Sequence, residues 1–219
     1  DLVLLFTGET GQESNGRRPL GTTQYFNRLA QRVVGALSLQ TANGALYGID
    51  TRLRPSGAQG MLCVNLESFA KYQREEAWTW EHMALTRARV VFGPAEEAEA
   101  IIANVLLQKR KKSKLRKDIV AIRAEMAEHK PPKGALDVKL CAGGLVDAEF
   151  SIHALQLEHQ TAYSPQLDVA VEALIAAGLL PPDFADAQAL LTRMLVLLRL
   201  VAPDSEAPPE PAQLLVAHS

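Results

Sequence analysis

The character of the sequence changes at Gly93-Pro94, and this change constrains the fold more than any other feature. Before it, short apolar runs suited to strands are separated by loops rich in turn-forming residues. After it, Ala, Leu, Glu and Lys dominate, strand signals are few and the pattern is helical. The sequence therefore predicts an α+β chain with a mixed α/β domain over residues 1–93, a helical bundle over 94–202 and a loosely ordered tail over 203–219.

The first predicted domain contains short strands and one clear amphipathic helix. Apolar residues recur at helical spacing from Phe26 to Leu37. Asn65 is suited to cap a second helix, whose apolar side would carry Phe69, Tyr72, Trp80 and Met83. Strands are predicted at residues 2–6, 61–64 and 86–92 and through Asp50, with a tight turn at Asn43-Gly44 before the Asp50 strand.

The second predicted domain is a series of helices separated by proline pairs. Pro131-Pro132 and Pro181-Pro182 interrupt the helical pattern, because proline lacks the backbone donor that a helix interior needs. The predicted helices cover residues 95–108, 113–129, 144–160, 166–178 and 183–201.

Composition excludes several classes of partner and location. The net charge of −2 provides no overall field that would attract nucleic acid or an anionic membrane. The most apolar stretch, residues 190–201, contains Arg193 and Arg199 and is too short to span a bilayer. Cys63 and Cys141 lie outside any metal-ligand spacing and are predicted to be reduced thiols. We expect a cytoplasmic protein that binds neither nucleic acid nor membranes.

The segment from Leu46 to Gly60 is the strongest candidate for a functional site. If it begins as a strand, side chains alternate between two faces, so Asp50, Arg52 and Arg54 share one face. A carboxylate binds a hard cation through oxygen, and guanidinium groups bind phosphate oxygens in pairs. The pattern suits a metal–triphosphate complex, but by itself it is more often produced by an edge strand with one surface ion pair.

Asp1 is a second candidate carboxylate, since it precedes the first predicted strand. Magnesium usually takes one or two protein carboxylates together with substrate phosphates. Two aspartates on neighbouring strands could therefore hold a metal–nucleotide complex, although many α/β domains offer such a pair. The chain opens on Asp1 without a lead-in, which is typical of a fragment of a longer protein.

Three further patterns have a structural and a functional interpretation. Gly143-Gly144, preceded by Lys139, could bind an anion, but the acidic residues that follow favour compensation of a helix dipole. Trp78 and Trp80 cannot share a helix face, so at least one should be partly exposed. The basic run over 109–117 lacks interleaved aromatic residues, which favours a solvated helix junction over a nucleic-acid site. His82 is expected to be a hydrogen-bonded packing residue.

Four stretches, taken in order, resemble the glutamate–ammonia-ligase adenylyltransferase family. They are residues 25–32, 46–60, 72–91 and 143–150. The resemblance implies a DNA-polymerase-β-like nucleotidyltransferase domain followed by a helical bundle. It also implies transfer of AMP from ATP to a tyrosine hydroxyl of glutamine synthetase, with magnesium as cofactor and release of pyrophosphate. The PII signal protein and glutamine are the implied regulators.

The family contains two similar nucleotidyltransferase halves, one adding AMP and one removing it by phosphorolysis. Residues 54–57 and 76–82 resemble the C-terminal, adenylylating half. The removing half is the alternative within the family. A third hypothesis is a non-catalytic docking or regulatory module for glutamine synthetase or PII.

The resemblance also implies roles for individual residues. Asp1 and Asp50 correspond to the second and third aspartates of the family's metal site, and they are the expected catalytic and magnesium-binding residues. The first aspartate would then lie upstream of residue 1. In the alternative register Asp1 is the first aspartate and Val3 occupies the position of the second. The residues expected to contact ATP or shape its site are Arg52, Arg54, Ser56, Gly57 and Lys139.

Overall fold

The computed structural model describes residues 1–9, 11–134 and 136–201, so the predicted tail at 203–219 lies outside the described residues. The chain forms two compact units. The first takes Asp1–Glu81 and Phe92–Ile101, and the second takes His82–Val91 and the residues from Ile102 onward. Helices dominate and the sheets are small, which agrees with the predicted α+β class.

A parallel strand pair and one helix form the core of the first unit. Strand β1 (Leu4–Phe6) pairs in parallel with β4 (Cys63–Asn65), with Leu4 opposite Cys63. Helix α1 (Thr22–Leu37) packs against this pair, and the Phe6 and Phe26 rings stack with centroids 4.7 Å apart. The predicted strands at 2–6 and 61–64 and the helix over 26–37 are therefore present with shifted ends.

Asn27 of α1 fixes the position of β4. Its side-chain amide donates to the Cys63 carbonyl at 2.9 Å, and its side-chain oxygen accepts the Cys63 backbone N–H at 3.1 Å. One polar side chain therefore satisfies both backbone groups of a strand residue that would otherwise be buried without partners.

The turn at Asn43-Gly44 is confirmed. Strand β2 (Gln40–Thr41) pairs antiparallel with β3 (Gly44–Ala45), and Gly44 has φ +92°, a conformation that favours glycine.

The region predicted as one helix after Asn65 contains two. Asn65 caps α2 (Leu66–Glu75) as expected, because its side chain accepts the Glu67 backbone N–H at 2.8 Å. A second helix, α3 (Thr79–Leu85), follows a break. Glu81 reaches back to the Trp78 N–H at 2.8 Å, so it caps a new helix start that the apolar spacing did not reveal.

The strand predicted at residues 86–92 is wrong. All of these residues are described, and they form a turn followed by irregular chain. Phe92, the last residue of the predicted strand, is 94% exposed. Apolar and basic residues alternate there, but no strand among the described residues pairs with this segment.

The five predicted helices of the second region are confirmed, with ends shifted by at most two residues. They are α4 (Ala95–Leu106), α5 (Lys112–His129), α6 (Leu145–His159), α7 (Leu167–Ala176) and α8 (Phe184–Val201). Helices α6, α7 and α8 share a core that contains Ile152, Val171 and Leu174, all within 1% of full burial. Within the described residues, no helix is long and apolar enough to cross a membrane.

The basic run lies at the α4–α5 junction, as predicted, and most of its lysines are exposed. Arg110 is the exception. Its guanidinium donates to the carbonyls of Val105, Leu106 and Gln108, which closes the C-terminal end of α4. Arg110 also contacts the Nδ1 of the buried His82 at 3.2 Å, so His82 is a packing residue, as expected.

The two thiols should differ in reactivity, because only the thiolate form is nucleophilic. Both cysteines are free, and burial raises the pKa of Cys63 to about 11. We expect Cys141, which is partly exposed, to react with a disulfide reagent at pH 8 about a hundredfold faster than Cys63. Reaction of a Cys141→Ser variant at the rate of the wild-type fast phase would contradict this.

Candidate functional site

The N-terminal segment lies directly beside Asp50. The Leu2 backbone N–H donates to the Asp50 carbonyl at 2.8 Å. Asp1 and Asp50, the two carboxylates expected at a metal site, are therefore on adjacent chain segments. Asp1 is exposed and Asp50 partly so, which leaves both accessible to a ligand.

The prediction that Asp50 lies on a strand with Arg52 and Arg54 is wrong. Residues 46–54 are all described, and none belongs to a strand. Instead, one Asp50 carboxylate oxygen accepts the Arg52 backbone N–H at 2.9 Å, which bends the chain immediately after Asp50. A local side-chain-to-backbone bond therefore replaces the ladder hydrogen bonds of a strand.

Asp50 and Arg52 form a close ion pair. The Arg52 Nε donates to both Asp50 carboxylate oxygens, at 3.0 and 2.9 Å, and an Arg52 terminal nitrogen also contacts one of them. These hydrogen bonds are the main reason why the pKa of Asp50 falls to about 2. Asp50 is thus an anion at any physiological pH. The Arg52 side chain is 73% exposed, so it can also reach a solvent-borne anion.

Arg54 turns away from Asp50 and closes its own loop. Its Nε donates to the Gly60 carbonyl at 3.1 Å. One terminal nitrogen donates to the carbonyl and hydroxyl oxygens of Thr51, at 2.9 and 2.7 Å, and the other donates to the Ala58 carbonyl at 3.1 Å. Most of the five guanidinium N–H groups are used within the loop. Arg54 therefore shapes the site, and few of its donors remain for phosphate.

Ser56 and Gly57 form the sharpest part of this loop. Both have left-handed backbone conformations, with φ 60° at Ser56 and φ 55° at Gly57. A short 3₁₀ helix over Gly57–Gln59 follows. At Gly60 an added Cβ would lie 1.9 Å from the Pro55 carbonyl oxygen, so the chain can close there only with glycine.

Lys139 lies in the second unit, in the turn before α6, where it is exposed. Its backbone carbonyl accepts the Val146 N–H at 3.1 Å. The contacts at Gly143-Gly144 agree with compensation of the helix dipole rather than with an anion site. Asp147 accepts the Gly143 N–H at 2.7 Å and pairs with Arg123, so it caps the start of α6.

The donor chemistry at Asp50 suits magnesium bound together with a nucleotide. Among the described residues there is no group of three or more His, Cys, Asp or Glu side chains that could hold a metal ion. Asp1 and Asp50 supply two carboxylates, which is the number that magnesium commonly takes when phosphates complete its coordination. The chemistry of these two side chains is therefore compatible with a magnesium ion whose other ligands are phosphate oxygens.

A groove of about 420 Å³ lies elsewhere in the first unit, between α2 and α4. None of the expected site residues contributes to its lining, which consists of Leu66, Glu67, Ala70, Arg74, Glu97 and Ile101. This groove is therefore separate from the Asp50 loop.

Sequence reasoning missed a hydrogen-bonded pair in the first unit. The Tyr72 hydroxyl donates to the Glu81 carboxylate at 3.0 Å. The expectation that at least one tryptophan is partly exposed is confirmed, since Trp78 is 69% exposed and Trp80 38%. The acidic residue three positions after Trp78 was the available signal for a helix start.

Replacing the guanidinium group of Arg54 should loosen the loop over residues 51–60. In Arg54→Lys a single ammonium cannot reach Gly60, Thr51 and Ala58 together, so at least two hydrogen bonds are lost. We expect trypsin to cleave after Arg52 about tenfold faster than in the wild type. The matched control is Arg28→Lys on the exposed face of α1, which should leave this cleavage rate unchanged. Equal rates in all three proteins would refute the role of Arg54.

Most of this chain is similar to known proteins. Residues 1–104 match the family model for glutamate–ammonia ligase adenylyltransferase. A bifunctional glutamine synthetase adenylyltransferase/adenylyl-removing enzyme from Agrobacterium fabrum is 49% identical over 161 residues, which are 72% of this chain and 16% of that protein. The protein of the same description from Rhizobium meliloti is 50% identical over 161 residues, which are 72% of this chain and 16% of that protein. The one from Mesorhizobium japonicum is 41% identical over 193 residues, which are 86% of this chain and 19% of that protein.

The names of these relatives describe enzymes that add an adenylyl group to glutamine synthetase or remove it. The chain belongs to the glutamate–ammonia ligase adenylyltransferase family. It spans about a fifth or less of the length of the curated relatives it matches.

Proposed function

We propose that this chain carries the adenylylating site of its family, which transfers AMP from ATP to a tyrosine hydroxyl of glutamine synthetase. In this reaction the tyrosine oxygen forms a bond to the α-phosphorus, the bond to the β-phosphate oxygen breaks and pyrophosphate leaves. The hydroxyl proton is lost to the surroundings. The observation that carries the proposal is the Leu2–Asp50 hydrogen bond, because it brings both expected carboxylates to adjacent segments.

Asp1 and Asp50 are the residues that would hold magnesium. When bound, the ion neutralises phosphate charge and orients the triphosphate. The chain's own residues supply the positioning, which is the main source of rate in phosphoryl transfer. Arg52 pairs with Asp50 in the absence of nucleotide, and its exposed guanidinium is placed to bind a phosphate oxygen when ATP arrives.

The loop after Asp50 provides the shape of the site. Arg54 holds the loop closed, and Ser56 and Gly57 present a backbone that a phosphate can approach. Lys139, which is exposed in the turn before α6, stays a predicted ATP contact that only the family resemblance supports. In this proposal residues 1–93 form a DNA-polymerase-β-like nucleotidyltransferase domain, and residues 94–202 form a helical bundle. The parallel β1–β4 pair supports the first assignment, and the helices from Ala95 onward support the second.

The wider context is part of the same proposal. Glutamine synthetase is the protein substrate, and the PII signal protein and glutamine regulate the complete enzyme. The reaction takes place in the cytoplasm, which agrees with the two free thiols at Cys63 and Cys141.

A paired assay tests which half of the enzyme this is. The complete native protein is given either unmodified glutamine synthetase with ATP or adenylylated glutamine synthetase with phosphate. The proposal requires that a substitution in the Asp50 loop, such as Asp50→Asn, stops labelling in the first mixture and spares AMP removal in the second. The opposite pattern would assign the loop to the de-adenylylating half.

A further inference from the structure

His153 lies at the centre of a buried polar network in the second unit. It belongs to α6 and is 5% exposed. Its ring Nδ1 lies 2.8 Å from the Thr86 hydroxyl, in the turn after α3, and 2.9 Å from the side-chain oxygen of Gln156, one turn further along α6. Thr86 and Gln156 are buried as well, so the three polar side chains have mainly one another as partners.

The partners of the ring fix which nitrogen carries the proton. The Thr86 hydroxyl donates its single proton to the Met83 carbonyl at 2.8 Å, so its oxygen accepts from His153. The Gln156 side-chain nitrogen donates to the Ala162 carbonyl at 2.6 Å, which leaves the oxygen of the same amide facing the ring. Both neighbours of Nδ1 are therefore acceptors. The proton of the neutral ring is on Nδ1, and Nε2 holds a lone pair.

The second ring nitrogen is buried without a partner. The His153 Nε2 makes no hydrogen bond to any of the described residues. A protonated ring would place an N–H there with no acceptor, together with a buried positive charge, and both are unfavourable in a protein interior. Burial accordingly lowers the pKa of His153, although the hydrogen bond to Gln156 acts in the opposite direction. The observed network is therefore compatible only with the neutral ring.

The surrounding charges do not supply the missing acceptor. Arg87, beside Thr86, lowers the pKa of His153, whereas Glu149 on α6 raises it, and these two side chains lie 3.9 Å apart as an ion pair. Other ionisable side chains on neighbouring elements have partners of their own: Arg123 with Asp147, Lys112 and Arg116 with Glu158, and His82 with Arg110. The charged residues of α7 and α8 are exposed: Asp168, Glu172, Asp186, Arg193 and Arg199.

The same network holds the connection between α6 and α7, residues 160–166. Two residues of this connection are left-handed although they are not glycine, Gln160 with φ 54° and Ala162 with φ 60°. Such conformations persist where surrounding contacts enforce them. Gln156 fixes the Ala162 carbonyl. The side chains of Gln160 and Tyr163 donate to backbone carbonyls at the C-terminal end of α4, at 2.6 and 3.0 Å. The connection is therefore attached to α6 on one side and to the end of α4 on the other.

We propose that His153 is an acid-sensitive latch that holds the α6–α7 connection against the C-terminal end of α4. The neutral ring orients the Gln156 amide, and this amide fixes Ala162. A proton on Nε2 would favour an open connection in which water can accept it. Because the pKa of His153 is lowered in the closed state, its contribution to closure is present above the ordinary histidine pKa of about 6.5 and is lost as the pH falls below that value. The latch lies in the second unit and operates without nucleotide.

Hydrogen–deuterium exchange of the 219-residue chain at pH 7.5 and pH 5.5 tests the latch, with rates corrected for the intrinsic pH dependence of exchange. In the wild type the open fraction of residues 160–166 should rise about tenfold at the lower pH, because the open state binds a proton that the closed state excludes. His153→Asn keeps an N–H donor near the position of Nδ1 but cannot be protonated, so its rise should be about twofold or less. Exchange in α7 should change by about twofold or less in both proteins.

The matched control is His129→Asn. His129 is exposed at the end of α5, where its Nδ1 contacts the Glu125 carbonyl at 2.9 Å, so this variant also replaces one histidine that has a hydrogen bond. It should keep the wild-type rise of about tenfold over residues 160–166. An equal rise in the wild type and His153→Asn, or an equal rise in α7 and the connection, would overturn the latch.

Nitrogen-15 NMR of the imidazole rings tests the same latch on the wild type, and so it decides even if His153→Asn does not fold. At pH 7.5 the His153 ring should be neutral with its proton on Nδ1. It should begin to take up a second proton only below the ordinary histidine pKa of about 6.5. A ring that carries its proton on Nε2 at pH 7.5, or one with an ordinary pKa, would refute the role of His153.

Discussion

Replacement of Asp50 by asparagine is expected to abolish ATP-dependent labelling of glutamine synthetase, a loss of about a hundredfold or more. Asparagine keeps the shape of the side chain and can still accept the Arg52 backbone N–H. It lacks the negative charge, and so it loses both the ion pair with Arg52 and the anionic oxygen that a hard cation prefers. The measurement is the initial rate of transfer of labelled AMP by the complete native protein.

A control separates this effect from a general loss of charge. Asp186, in the first turn of α8, is exposed and lies in the second unit. Asp186→Asn should retain the wild-type rate. Circular dichroism of Asp50→Asn should match the wild type, because Asp50 is at the surface. Labelling retained by a folded Asp50→Asn would remove Asp50 from the mechanism.

Replacement of Leu174 by alanine is expected to have the largest effect on stability, a loss of about 3 kcal/mol in the free energy of unfolding. Leu174 is completely buried in the core shared by α6, α7 and α8. Its truncation removes apolar contacts and leaves a cavity that the three helices cannot fully close. The measurement is urea unfolding followed by the helical circular dichroism signal.

The neighbouring Val169 provides the comparison on the same helix. It is exposed, so Val169→Ala should change the free energy of unfolding by about 0.5 kcal/mol or less. If the two alanine variants unfold at the same urea concentration, α7 does not pack as the structure indicates.

The helical region could be predicted from sequence because its signals are long and repeated. Helices α4 to α8 extend for ten residues or more, with apolar residues at helical spacing, and proline or glycine marks every break after α5. A pattern of that length is difficult to produce by chance. The short β1 and β4 strands were also found, since each is a compact apolar run next to a turn signal.

The geometry of the candidate site could not be predicted, because alternation over a few residues fits a strand and a loop equally well. Asp50, Arg52 and Arg54 alternate as a strand would, but Asp50 bonds the Arg52 backbone and Arg54 bonds the loop carbonyls. These contacts depend on side chains folding back onto their own backbone, a competition that periodicity does not register. The hydrogen bond between Leu2 and Asp50 joins residues distant in sequence, and no local pattern encodes it.

The most direct test of the proposed site is calorimetric titration of Mg–ATP into the 219-residue chain, with wild type and Asp50→Asn in parallel. The proposal requires saturable binding by the wild type that depends on magnesium and weakens about tenfold or more in Asp50→Asn. Equal binding by the two proteins would contradict it. So would absence of nucleotide binding by a wild-type chain that still binds glutamine synthetase, a result that would instead identify a docking module.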